Sequence, residues 1–369
     1  MNLKAFIKKN TVMLIAFFAA ILTSFFVPID AEYLNYFDYK TLACLFCVLA
    51  VVCAFKNISF FYILARKIVQ LLKNARMAVL GLVYITFIGS MLIANDMALL
   101  TFLPLGYFVL TSAKKEKYMA FTFIMQNIAA NLGGMLTPFG NPQNLYLYST
   151  YNIPNMEFVR IMTPPFVLSV ALITICCLMF VKKEPLNLSE ENVNLHCGKT
   201  VLYSFLFALS ILIVFRGIPY WIGLIVIPSV LFWVDRKALK MVDYPLLFTF
   251  VFFFVFSGNM ARIEAVQAFF DYLLTKSTLL VSIFSCQIIS NVPSAILLSQ
   301  FTENYKDLLL GVNIGGVGTL ISSLASLITF REYVKHNPQK TKYYIGMFSL
   351  YNFTFLFILT GFEILLKLI

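Results

Sequence analysis

One motif is written twice in this chain. Residues 131–137 (NLGGMLT) return as 313–319 (NIGGVGT), and each copy follows a second paired element, 93–96 (IAND) and 289–292 (ISNV). Asn, Gly, Ser and Thr thus interrupt apolar runs at matching places in both halves. In hydrocarbon a backbone satisfies itself only as a helix, so each interruption leaves N–H and C=O groups that something else must satisfy. Paired interruptions of this kind point to the central site of a repeat-built membrane protein.

The rest of the chain supports a membrane setting. It is 60% hydrophobic and 12% charged, with a mean hydropathy of +0.85, which excludes a soluble domain of this size. Stretches of about 15–20 uncharged residues suit helices that cross a bilayer. Strand-type alternation is absent, so the fold class is an all-α polytopic membrane protein. The net charge of +11 falls between the apolar runs, as the positive-inside rule expects, and implies no nucleic-acid partner. Residues 11–28 follow Lys4, Lys8 and Lys9. That run is long for a signal peptide and lacks a small-residue cleavage site, so it reads as a retained first span with its N-terminus inside. Of seven cysteines, six lie in apolar runs and read as packing residues. Cys44 and Cys47 have C-x-x-C spacing on an apolar span, a weak metal or redox signal.

About nine spans are expected: 11–28, 40–55, 119–145 (broken), 161–181, 200–215, 218–234, 245–258, 308–329 (broken) and 343–365. Two further stretches are read differently. Residues 77–112 have basic flanks at both ends, Lys73 and Arg76 before, Lys114, Lys115 and Lys117 after. Both ends then lie in the cytoplasm, and the segment is a re-entrant hairpin with its tip at Asn95 and Asp96. Residues 277–302 have mixed flanks and make a second hairpin from the opposite side. Asp30, Glu32 and Asp38 fall outside. Lys182, Lys183, Lys199, Arg236, Lys237, Lys240, Arg331, Lys335, Lys340 and Lys342 fall inside. Amphipathic helices at 58–75 and 260–274 precede the hairpins. The chain divides into a first inverted repeat (1–182), a cytoplasmic linker (183–199) and a second repeat (200–369). The span at 200–215 has no counterpart in the first half.

The breaks carry the chemistry. Gly133, Gly134, Gly315 and Gly316 permit tight backbone there, and Asn131, Thr137, Asn313 and Thr319 supply oxygens and donors beside it. Unwound carbonyls suit Na⁺, and helix N-termini suit anions. The plainer alternative is that small residues merely let helices approach closely. After the first motif stand Asn141, Gln143 and Asn144, three amides at membrane depth. The second copy offers Ser322, Ser323 and Ser326 instead. Asp96 is the only charge between 77 and 113. A charge at mid-span costs about 2.5–3.5 kcal/mol on insertion scales, so it reads as a proton carrier or a cation ligand. The alternative is a helix cap. At the second tip Ser290 and Asn291 can cap while Pro293 takes the first helical position, which leaves that N-terminus free for an anion. His196 and His336 fall in basic loops. The chain shows no metal cluster, nucleophile–base pair or phosphate loop, so neither a cofactor nor an intramembrane enzyme is expected.

At these motifs the sequence resembles the ion transporter superfamily over essentially its whole length. That group holds the divalent anion–sodium symporters, the arsenite permeases and one class of sodium/proton antiporter. Its members have two hairpins with Ser-Asn-Thr tips, each followed by a glycine-rich broken helix. Asn95, Ser290 and Asn291 match the tips, and Gly133, Gly134, Gly315 and Gly316 match the broken helices. Ala94, Asp96 and Val292 depart from the symporter pattern. An Asn-Asp tip looks closer to the arsenite permease and antiporter branches, whereas 140–144 (GNPQN) looks like members labelled citrate or anion permeases. The resemblance implies a secondary transporter of the cytoplasmic membrane for a small anion, driven by Na⁺ or H⁺, with elevator-like movement in a homodimer. Arsenite efflux or cation/proton exchange through Asp96 is the alternative.

Overall fold

A computed structural model describes residues 10–186 and 197–368. Lys4, Lys8, Lys9, His196 and most of the expected linker lie outside the described residues. Those described contain helices and no strand: α1 (Thr11–Ser24), α2 (Tyr39–Asn57), α3 (Phe60–Gln70), α4 (Ala75–Ile93), α5 (Asn95–Ser112), α6 (Met119–Gly133), α7 (Pro142–Thr150), α8 (Asn155–Phe180), α9 (Cys197–Val214), α10 (Tyr220–Val234), α11 (Arg236–Met241), α12 (Tyr244–Ala261), α13 (Glu264–Ile289), α14 (Asn291–Leu298), α15 (Tyr305–Ile314), α16 (Leu324–His336) and α17 (Thr341–Leu368). Among them, seven helices are long and apolar enough to cross a membrane. Two of the seven, α4 and α13, carry the hairpin arms.

Helix starts follow the capping residues. Asp38 accepts from the Thr41 N–H at 2.9 Å, Asn74 from Met77 at 3.0 Å, and Asp243 from Leu246 at 3.1 Å. Each satisfies an N–H the helix cannot. Burial then sorts the helices. All 15 residues of α6 are buried, which makes it the central column despite Gln126, Asn127 and Asn131. The outer helices expose Phe205, Ile225, Trp233 and Phe357. Such a face belongs against lipid, where apolar exposure carries no cost.

Residues 77–112 return to the side they entered from. The Ala75 N–H donates to the Glu184 carbonyl at 2.8 Å, and Lys115 Nζ meets the Glu184 carboxylate at 2.7 Å. Both ends of α4–α5 therefore meet one residue. The Lys73–Leu186 backbone pair (3.2 Å) closes the same base. Glu184 is thus no loose linker residue, and α9 takes up the linker's last three positions, 197–199. In the second half α13 breaks at Ser277 (φ −168°, ψ 101°). The part before the break is the expected amphipathic helix, and the part after it is the first arm. Its base closes where Phe270 stacks on Phe301, centroids 4.7 Å apart. The second base neighbours Tyr151, whose hydroxyl donates to the Thr302 carbonyl at 2.6 Å. Tyr151 ends the α6–α7 pair, whereas Lys115 precedes it. The two hairpins consequently enter from opposite ends.

Candidate transport site

The two tips share one conformation. Ala94 (φ 66°, ψ 150°) and Ser290 (φ 80°, ψ 159°) occupy a region that non-glycine residues adopt only under constraint. Asn95 Oδ1 accepts from the Asp96 N–H at 2.9 Å, and Asn291 Oδ1 from the Val292 N–H at 2.9 Å. The Asn95 N–H donates to the Gly140 carbonyl at 3.1 Å, and the Asn291 N–H to the Ser322 carbonyl at 2.9 Å. Gly140 and Ser322 hold the same place, three residues beyond Thr137 and Thr319. The threonines correspond too: Thr137 Oγ1 donates to the Met91 carbonyl at 2.8 Å and Thr319 Oγ1 to the Gln287 carbonyl at 3.2 Å. Each broken helix is therefore stitched to its own hairpin through the same atoms.

The breaks themselves are satisfied differently. In the first half Asn144 Nδ2 donates to the carbonyls of Gly134 (3.2 Å), Met135 (3.2 Å) and Thr137 (3.4 Å). In the second half Gln287, from the hairpin arm, donates to Gly315 (2.9 Å) and Val317 (3.2 Å) and accepts from the Thr319 N–H at 2.9 Å. The paired glycines serve close approach rather than unusual dihedrals. Gly133 is helical (φ −66°), but a Cβ there would stand 2.3 Å from the Phe87 carbonyl oxygen. One on Gly134 would stand 2.4 Å from Asn141 Oδ1, and one on Gly315 would stand 2.9 Å from Cys286. Only Gly318, with φ +127°, needs the conformational freedom.

Both tips converge on α6. Asn95 Nδ2 donates to Asn131 Oδ1 at 3.3 Å. That oxygen lies 3.7 Å from where a Cβ on Gly316 would stand, and the same point is 3.2 Å from Asn291 Nδ2. A second cluster joins the broken helices to each other. Asn313 Nδ2 donates to Asn144 Oδ1 at 2.6 Å, and Asn313 Oδ1 accepts from Asn141 (3.2 Å) and Gln143 (3.4 Å). Asn141 also donates to the Asn131 carbonyl at 3.1 Å. Asn127 extends the network to Ser326 (3.3 Å) and Asn352 (3.4 Å). All these side chains are buried, where a satisfied network rigidifies and an unsatisfied atom is costly. Two acceptors remain open, Asn141 Oδ1 and Gln143 Oε1.

Asp96 is not the cap of its helix. Asn95 takes the first N–H, and Asp96 Oδ1 is buried without a hydrogen-bond partner. It lines a cavity of about 40 Å³ between two walls. One wall is the tip with Phe139, Leu145 and Ile328. The other is α2 and α12, through Val48, Asp243 and Leu246. Two carboxylates and no basic side chain face this space, a setting that attracts a cation or a proton and repels an anion. The second tip also differs from expectation. Pro293 is the third residue of α14, not the first. The Asn291 and Val292 N–H groups are taken by Ser322 and Asn291 itself, and Pro293 has none. Ser290 Oγ spends its proton on Asn291 Oδ1 (3.3 Å) or the Ser322 carbonyl (3.4 Å). That helix start has no N–H left over for an anion in this arrangement.

Sequence reasoning passed over Gln287, Asn127, Asn352 and Asp243. Asn127 was within reach, since it precedes Asn131 by one helical turn. Gln287 stands four residues before its tip, where Met91 stands in the first half, so comparing the motifs alone hides it.

Comparison with known proteins places the chain among transporters. The family model described as Citrate transporter matches residues 3–305. An uncharacterized transporter of Methanocaldococcus jannaschii is 32% identical over 302 residues, 81% of this chain and 82% of that protein. Inner membrane protein YbiR of Escherichia coli is 27% identical over 320 residues, 84% of each chain. The putative transporter arsB of Dictyostelium discoideum is 30% identical over 108 residues, 29% of this chain and 19% of that protein.

Proposed function

The chain belongs to the citrate transporter family, and from that premise we propose that it is an ion-coupled secondary transporter of the cytoplasmic membrane rather than an enzyme. Its substrate is a small anion, of the citrate, dicarboxylate or inorganic oxyanion class, moved with Na⁺ or H⁺. One observation carries the reading: both tips and both broken helices converge on a buried polar centre beside a small cavity that holds Asp96. The cavity is well below the 300–1,000 Å³ of a ligand pocket, so substrate entry would require the two walls to part. Asn95, Asn131, Asn291, Asn313 and the open oxygens of Asn141 and Gln143 then form the site, and Asp96 holds the coupling ion. The resemblance implies a homodimer in which the hairpin body slides past α2 and α12.

The two carboxylates facing the cavity favour a second reading, cation/proton exchange or arsenite efflux at the same centre. Purified protein in proteoliposomes decides between them. Uptake of labelled citrate, succinate, phosphate or sulfate under an imposed Na⁺ or H⁺ gradient supports anion transport, and movement of arsenite with none of these carried supports the second reading. Sodium flux against an imposed pH gradient with no anion moved overturns anion transport in favour of exchange.

A further inference from the structure

A crevice leads away from Asp96 between α5 and α16. Along α5 its walls are Leu99, Leu100, Leu103, Pro104 and Tyr107; along α16 they are Ile328, Glu332, Lys335 and His336. It encloses about 240 Å³ and shares Leu100 and Ile328 with the Asp96 cavity. On α16 the spacing 324, 328, 332, 336 is one stripe of a helix, and on α5 the residues 96, 100, 103, 104 and 107 make the facing stripe. The seam therefore runs from Asp96 to the basic end of the molecule, over about 16 Å at 1.5 Å per residue.

Two features suit this seam to moving a proton. Pro104 lies inside α5 and has no N–H to give the Leu100 carbonyl, so a polar acceptor is left where the crevice meets the Asp96 cavity. At the mouth His336 Nε2 lies 3.0 Å from Glu332 Oε1. The imidazole stacks on Tyr107, centroids 3.7 Å apart and planes at 18°. Lys335 Nζ is 3.3 Å from the same carboxylate. A titratable pair is thus fixed where the seam meets water, and a carboxylate without a partner waits at its inner end, with Asp243 the only other carboxylate on that cavity.

We propose that the α5–α16 seam is the cytoplasmic proton path of this transporter, with Asp96 as the inner proton site, Leu100 and Ile328 at the junction of the two spaces, and His336 with Glu332 as the relay at the mouth. The proposal rests on the transporter reading and takes H⁺ as its coupling ion. A proton bound on the Asp96 carboxyl leaves through water past the Leu100 carbonyl. The His336–Glu332 pair receives it and passes it to bulk water, so Asp96 returns to carboxylate and no other bond changes.

The test follows Asp96 directly and needs no substrate. Protein is reconstituted in one orientation, the pH is stepped on one face, and the infrared C=O stretch of the protonated carboxyl is timed. Asp96→Asn identifies the band by removing it. The expected result is a response to steps at the face bearing His336. Ile328→Trp should slow that response, and His336→Gln should slow it roughly tenfold or more, as loss of a proton relay does, with the midpoint unchanged. Imidazole buffer at that face should restore the rate in His336→Gln and not in Ile328→Trp. His336→Gln can still hydrogen-bond Glu332 at a partly exposed position, so it guards against misfolding of the larger change. A band that follows only the opposite face, or a rate that neither variant alters, overturns the path. Absence of anion uptake beside a normal band would instead overturn the anion-transport reading.

Discussion

Asp96 and Gln287 show how single residues divide the work of this site. Asp96 is a carboxylate with an unpartnered buried oxygen on a cavity, so Asp96→Asn should preserve the fold, because the Asp96 side chain caps nothing and Asn95 Oδ1 takes the Asp96 N–H. It should remove the dependence of uptake on the driving gradient. Transport by Asp96→Asn with an unchanged response to Na⁺ and pH would show that the charge has no part in coupling. Gln287 is the opposite case, a polar residue committed to structure. Gln287→Met copies its counterpart Met91 and strips partners from two carbonyls and one N–H. At about 1–3 kcal/mol for each buried group left unmade, the loss should be on the order of 3 kcal/mol or more. The first half manages with Met91 because Asn144 serves its break, and Ser326 holds the place of Asn144. Adding Ser326→Asn should therefore recover part of the loss in thermal unfolding. A double variant no more stable than Gln287→Met would mean the two breaks are not interchangeable.

Among elements, the first hairpin is defined by its closed base. Glu184 accepts from Lys115 Nζ at 2.7 Å and Tyr118 Oη at 2.9 Å and pairs with Lys117. Lys115 above all, then Lys117 and Tyr118, holds its carboxyl down at about 2, against an ordinary 4.5. Because the folded value is the lower one, this contribution is fully present above pH 4.5 and is lost as pH falls from there towards 2. Glu184→Gln should thus loosen the base at neutral pH, seen as faster amide exchange around Ala75, and the difference from the parent should vanish at acid pH. Persistence of the full neutral-pH difference at pH 2 would assign it to something other than the charge. The closed base also makes a topological prediction. Cysteines replacing Lys73 and Lys115 should be labelled by an impermeant reagent from one side, and those replacing Lys276 and Asp307 from the other. Labelling of either pair from both sides would turn its hairpin into a full span. These hairpins were legible in the sequence because charge marks where a chain leaves the bilayer, and the flanks of 77–112 are basic at both ends. The broken helices were legible because their glycines and asparagines repeat. What each amide does was not, since Asn144 and Gln287 act across contacts between elements that no local pattern encodes. The free N-terminus at the second tip failed for the same reason: the Ser322 carbonyl that occupies it lies 31 residues away in sequence.

For the whole molecule, the two walls of the Asp96 cavity separate two bodies with different packing. The hairpins, α6, α7, α15 and α16 are tied by side-chain hydrogen bonds that cross the repeats, including Tyr146 to Ser299 at 2.8 Å and Asn313 to Asn144 at 2.6 Å. Across the cavity the facing residues are Val48, Leu49 and Leu246 against Met97, Leu145 and Ile328, apolar surfaces with no directional bond among them. A body held together by hydrogen bonds and bordered mainly by apolar surface is suited to move as a unit, with the Arg216 donation to the Tyr148 carbonyl (2.6 Å) a bond that such sliding would have to break. Cysteines at Val48 and Leu145, joined by a short bifunctional reagent in a background without the native cysteines, should therefore arrest transport. The same reagent between cysteines at Tyr146 and Ser299, both within the moving body, should leave transport nearly unchanged. Arrest by both links would mean that the body itself must deform. Arrest by neither would mean that the hairpins carry substrate without sliding past α2.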